Sequence, residues 1–273
     1  MNIKYNKNDT IAWLEKYCIK NYHIIEDEKN QCVVDVYSDV FLSSKDLSCF
    51  GVKFGKVKGS FYCYNNDLLS LEGSPEIIDG NFDCSSNLLT NLEFGPKEVW
   101  CDYDCSNNKI TSLYGAAQDV ENFNCQKNQL ISLQYCPEIV RMDFTCSHNK
   151  IKTLQYSPKQ IGGRFVCFEN QLESLIGAPE SVGSTFDCAR NAITSLQGCP
   201  KTIGGPFDAS NNLIEDLNYF PEFIGGYIFL SMNEKLMAYE GQNSFESVST
   251  IRHKIHLDHS INRRDDKAII HKI

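Results

Sequence analysis

The sequence predicts a β-rich repeat solenoid: a parallel strand ladder on a concave face, a helix–hairpin cap at the N-terminus and a short helical cap at the C-terminus. Three observations predict it. Seven of the thirteen cysteines fall at 63, 84, 105, 125, 146, 167 and 188, in steps of 21, 21, 20, 21, 21 and 21 residues. An asparagine column runs in phase with them through Asn66, Asn87, Asn108, Asn128, Asn149, Asn170, Asn191, Asn212 and Asn233. Seven of the eight prolines share one further column, at 75, 96, 137, 158, 179, 200 and 221. One period held across several columns marks stacked supersecondary units, each too small to bury its own apolar face.

The N-terminal segment, residues 1–39, lies outside this period. Residues 8–20 read as an amphipathic helix, with Asn8 or Asp9 as its cap and Ile11, Trp13, Leu14, Tyr17 and Cys18 on its apolar side. Tyr22 to Ile25 and Cys32 to Tyr37 read as two strands of a hairpin around a charged turn. Helix and hairpin together are expected to cover the open end of the solenoid.

Residues 40–240 hold about ten rungs, the terminal ones degenerate, as capping requires. The full unit is Phe-x-Cys-x-x-Asn-x-Leu-x-x-Leu, then a proline, then Val or Ile, then a glycine-rich step. One copy is Phe144, Cys146, Asn149, Ile151, Leu154, Pro158, Ile161 and Gly163; the next is Phe165, Cys167, Asn170, Leu172, Leu175, Pro179, Val182 and Gly183. A first rung keeps the offsets with Val40, Leu42, Leu47, Phe50 and Val57, and has Lys45 where asparagine is expected.

Val120, Phe123, Cys125, Asn128 and Leu130 fit the leucine-rich-repeat template L-x-x-L-x-L-x-x-N/C-x-L without a gap, and over residues 40–240 the chain resembles that family. Most other copies carry one extra residue between the Val/Ile and the Phe, which reads as a bulge where the strand begins. The Phe-x-Cys variant with a Pro-x-x-Val/Ile return also resembles short leucine-rich-repeat proteins of large tailed phages and some bacteria. That narrower resemblance implies a protein that binds and inhibits, or recruits, a host protein such as a defence component, in the host cytoplasm if phage-encoded.

The columns have physical reasons. Alternate side chains of a strand point to opposite faces, so Phe and Cys face inward, with the Leu and Val/Ile positions closing the core. Cysteine suits a crowded row as a small apolar side chain, and its thiols are read as structural. The asparagine side chain can satisfy main-chain groups where the chain leaves the strand. Proline favours an extended return segment, so the rungs should be helix-poor.

Beyond the rungs, residues 241–273 read as a C-terminal cap and basic tail. Phe245, Val248, Ile251 and Ile255 have helical spacing, and residues 250–273 carry a charge of +3 on a chain whose formal total is −9. His253, His256 and His259 are spaced by three, which suits a drifting helix face better than a metal site. Cys101 and Cys105 stand near ligand spacing, but no CxxC pair or Cys/His set accompanies them. No metal or other cofactor is therefore expected.

Composition narrows the function. The acidic balance argues against nucleic acid as the main ligand. No run of 18 apolar residues suggests a membrane helix, and Met1–Asp9 lacks a signal-peptide core, so a cytoplasmic protein is expected. No nucleophile elbow, P-loop, HExxH or dinucleotide fingerprint is present, so no enzymatic activity is expected.

Function should then sit on the outward strand positions, which vary from rung to rung. Tyr62, Tyr64, Asp83, Asp102, Asp104, Asp143, Arg164, Phe168, Asp187 and Asp208 are the candidate partner-binding residues. They make an acidic concave face with a central apolar and cationic spot, suited to a protein partner with a basic patch. Exposed aspartates also protect strands from unwanted pairing. The rival reading is a structural or assembly protein packing through its ends or edges.

Overall fold

In the computed structural model, residues 6–26 and 31–236 are described. The C-terminal helix, the three spaced histidines and the basic tail expected beyond residue 240 lie outside them, as does the tip of the hairpin.

The N-terminal helix spans Lys7–Lys16. Its cap is Asn6, not Asn8 or Asp9: the Asn6 side chain accepts the Asp9 amide at 3.0 Å and its amide group donates to the Asp9 carboxylate. Reciprocal bonding of this kind places Asp9 in the first turn, where an acid also complements the helix dipole. Leu14 is fully buried, and Trp13 meets Phe54 edge-on at 6.1 Å. Cys18 falls beyond the helix, exposed, at φ 55°. Tyr22–Glu26 and Cys32–Val36 pair antiparallel, and the second strand continues in parallel onto Lys53–Val57.

The chain divides into two compact units, residues 1–129 with 134–138, and residues 130–133 with 139–273. Each is a stack of rungs with two parallel ladders. In the first unit the front ladder comprises Val40–Phe41, Phe61–Tyr62, Phe82–Asp83, Tyr103–Asp104 and Phe123–Asn124. Its return ladder runs from the hairpin through Lys53–Val57, Ile77–Ile78 and Glu98–Val99. In the second unit the front ladder comprises Phe144–Thr145, Phe165–Val166, Phe186–Asp187, Phe207–Asp208 and Ile228–Phe229. Its return ladder comprises Ile139–Val140, Gln160–Ile161, Ser181–Val182, Thr202–Ile203 and Phe223–Ile224. This is the β-rich solenoid of leucine-rich-repeat kind. Among the described residues the rungs from 40 to 233 contain no helix, and no helix is long and apolar enough to cross a membrane. The return segments are more ordered than an isolated extended run, because each pairs with its neighbours.

The core is built from columns. The front-ladder aromatics from Phe61 to Phe207 are buried, with successive rings 4.9–6.1 Å apart within each unit. Such separations allow offset or edge contacts that add to simple burial. All seven ladder cysteines are fully buried, and none forms a disulfide among the described residues. Burial holds the thiols of Cys63, Cys84, Cys105, Cys167 and Cys188 well above the usual range, so they stay protonated and unreactive.

The asparagine column stitches rung to rung. The Asn87 amide donates to the carbonyls of Cys63, Cys84 and Ser85, while its oxygen accepts the Leu68 amide. Asn212 repeats this with Cys188, Ala209, Ser210 and Ile193. The residue before each asparagine, from Asn65 to Met232, lies in the left-handed region at φ 52–61°. That turn directs the amide back into the rung.

Candidate functional site

The front ladder alternates buried Phe, half-buried middle residue and buried Cys. The side chains between and beside the inward columns therefore form its outward face. In the first unit this face starts with an aromatic step. Tyr62 stacks on Phe41 at 5.4 Å and 12°, and Tyr64, two residues on, is 41% exposed. Phe41 was not among the sequence candidates, although it occupies the Tyr62 column of the degenerate first rung.

Register places Tyr62 beside Asp83 and Asp83 beside Asp104. Each carboxylate is partly engaged by its own chain. Asp83 accepts the Ser85 amide at 2.9 Å and Asp104 accepts the Ser106 amide at 2.8 Å, the turn geometry that Asp favours. The other oxygen of Asp104 accepts from Asn124, and Asp102 accepts from Asn122 at 2.6 Å. Burial raises the Asp83 pKa, and the Asp104 charge adds to the rise.

The column ahead of the aromatic has a second structural duty. The Ser60 amide donates to the Asp39 carboxylate, the Asn81 amide to the Ser60 hydroxyl, and the Asp102 amide to the Asn81 side-chain oxygen. In the second unit Asp143 does the same for the Arg164 amide at 2.7 Å. It also holds the Arg164 guanidinium through two contacts, at 2.9 and 2.8 Å. Arg164 is thus matched within the ladder, and the cationic spot read from sequence is a neutral pair.

Beside it, Phe168 is half-buried and meets the His148 ring edge-on at 4.9 Å. His148 and Arg190 both bond Glu169, each at 2.6 Å, giving a three-member polar row along the rungs that the sequence reading did not pick out. Asp187 and Asp208 are adjacent in register. Asp187 accepts the Ala189 amide; Asp208 accepts both the amide and the hydroxyl of Ser210. Burial, reinforced by Asp208, pushes the Asp187 pKa up to about 6. The far end again carries aromatics, Tyr227 and Phe229, 6.4 Å apart. Among the described residues no three His, Cys, Asp or Glu side chains converge as a metal site would require.

No family model and no curated protein matches the chain. Among solved structures it is similar to YopM from Yersinia enterocolitica WA-314, at 18% identity and a TM-score of 0.36, over 67% of this chain and 55% of that one. The chain thus spans about half the length of that protein. A likeness so distant leaves the fold assignment resting on the ladders themselves.

Proposed function

We propose that this chain is a non-enzymatic protein-binding scaffold whose ligand face is the outward side of the Phe-x-Cys ladders. One observation carries the reading. The inward columns repeat the same residue types and are buried, whereas the columns ahead of and between the inward pair vary along each unit and remain half-buried or exposed. A sheet kept only soluble needs charge alone; this one also carries the Phe41–Tyr62 stack, Tyr64 and the Tyr227–Phe229 pair. Aromatics beside carboxylates suit a protein partner presenting a basic patch. The resemblance to short phage repeats supports a role in binding a host protein, such as a defence component, in the cytoplasm.

The test is quantitative capture of partners from the native cell. Asp83→Asn with Asp104→Asn keeps the side-chain oxygens that accept the Ser85 and Ser106 amides and removes both charges. Capture by this variant should fall at least about tenfold, the scale of a lost charge-assisted contact, with the circular dichroism of the parent retained and thermal stability lowered only by the lost Asn124–Asp104 bond. Unchanged capture rules the face out. Large particles in light scattering would favour an assembly protein instead.

A further inference from the structure

A second surface lies away from the front ladder, at the corner between the Leu-x-x-Leu segment and the return strand. There every rung from the second onward turns through one residue in the left-handed region: Gly73, Phe94, Gly115, Tyr135, Tyr156, Gly177, Gly198 and Tyr219. Four rungs use glycine, the residue for which this conformation carries no steric penalty. The other four force an aromatic into it, at φ 63–69°. Bulky residues are rarely found there. The strain brings no burial, since Phe94 is 57% and Tyr135 49% exposed. The same chain shows that glycine serves the fold at this corner, so the aromatics answer another demand.

In the first unit Phe94 and Tyr135 stand with the exposed Tyr114 on three successive rungs, a row of aromatics that serves as a ridge. The Ser74 hydroxyl donates to the Phe94 carbonyl, the Leu92 amide to the Tyr114 carbonyl, and the Tyr114 ring meets Tyr135 edge-on at 5.5 Å. Exposed carboxylates flank the ridge on both sides: Glu72 and Glu93 ahead of the corner, Glu98 and Glu138 after it. The lysine of these segments, Lys97, is matched by Glu76 at 3.5 Å. Aromatic faces flanked by carboxylates that form no ion pair among the described residues suit guanidinium groups, which stack on rings and pair with carboxylates. The row spans two rung steps of roughly 4.8 Å, which correspond to about three residues of extended chain.

We infer that this corner is a second docking site, separate from the front ladder, for a short extended segment of a partner protein that bears arginines.

The probe is fluorescein-labelled nona-arginine, titrated with the full chain and followed by anisotropy, with nona-lysine as a control of equal charge. Phe94→Gly with Tyr135→Gly installs the residue other rungs already use. Its circular dichroism and melting temperature should match or exceed the parent, while nona-arginine affinity drops at least about tenfold. Should the glycine variant fail to fold, Phe94→Asn with Tyr135→Asn takes its place, because asparagine tolerates the left-handed corner. Nona-lysine should bind at least about tenfold more weakly than nona-arginine. Equal binding of the two peptides, or unchanged nona-arginine affinity in the corner variant, overturns the inference. Loss confined to Asp83→Asn with Asp104→Asn also overturns it, because the peptide then sits on the front ladder. So does sedimentation showing that the corner joins two copies of the chain.

Discussion

In the first unit the inner aromatic ladder runs Phe61, Phe82, Tyr103, Phe123; in the second it runs Phe144, Phe165, Phe186, Phe207. The positions are geometrically equivalent, and all eight rings are buried. Only Tyr103 brings a polar atom into the row, and its hydroxyl has no hydrogen-bond partner among the described residues. It points toward Gly95, where an added Cβ would come within 3.1 Å of it. The period fixes where a side chain goes but does not provide for its chemistry. The outward columns teach the same lesson: Asp104 stands between Asp83 and the donor Asn124, whereas Asp187 stands between Val166 and Asp208.

The asparagine column should be where the units differ least and respond most. Asn87→Ala strips the Leu68 amide and three carbonyls of a partner, and Asn212→Ala does the equivalent in the second unit. Each should destabilise by about 3 kcal/mol, because buried backbone groups lose partners that water cannot replace. Urea denaturation checks this. A loss much larger in one unit would show that the ladders are not equivalent supports.

The aromatic row gives a smaller, signed contrast. Phe165→Tyr puts an unpartnered hydroxyl into the second unit and should destabilise by about 2 kcal/mol. Tyr103→Phe removes the one already present and should stabilise by about 1 kcal/mol. Destabilisation by Tyr103→Phe would mean that the hydroxyl has a partner, such as a buried water.

Period and column identity carried most of the fold, because each rung repeats one set of inward residues. Two features were not legible. The return segments read as extended from their prolines, yet their pairing into a second ladder depends on rung-to-rung distance, which no single rung encodes. The extra residue ahead of the strand read as a bulge, but why glycine stands beside it did not show: at Gly183 the cause is close stacking, since a Cβ there would lie 2.0 Å from the Gly162 carbonyl oxygen. The candidate face was legible as columns and illegible as chemistry. Arg164 read as a free cation because Asp143, 21 residues earlier, belongs to the preceding rung. The corner aromatics escaped notice because their exposure and left-handed backbone follow from the turn, not from any alternation in sequence.

The smallest expected effect comes from Asp187, and it traces to one neighbour. Asp83 is held by both the amide and the hydroxyl of Ser85, and these donors offset the burial that raises its pKa. Asp208 has the same two donors from Ser210. At the equivalent place beside Asp187 stands Ala189, which offers only its amide, and the pKa rises from 3.8 to about 6. Between those values the native state keeps a proton that the unfolded chain releases. Stability contributed at this site therefore falls as pH climbs from about 4 to about 6 and stays low above it. Asp187→Asn retains an oxygen for the Ala189 amide and removes the charge. It should raise stability at neutral pH by about 1 kcal/mol once screening at this partly exposed site is allowed for, and leave it unchanged near pH 4. Ala189→Ser should do part of the same work without touching the carboxylate, because a hydroxyl donor favours the ionised form and draws the pKa back toward 3.8. Melting temperatures of the three proteins across pH 4–7 decide it. If Ala189→Ser leaves the pH dependence intact, the missing donor is not the cause, and burial, reinforced by the charge of Asp208 on the next rung, accounts for the shift.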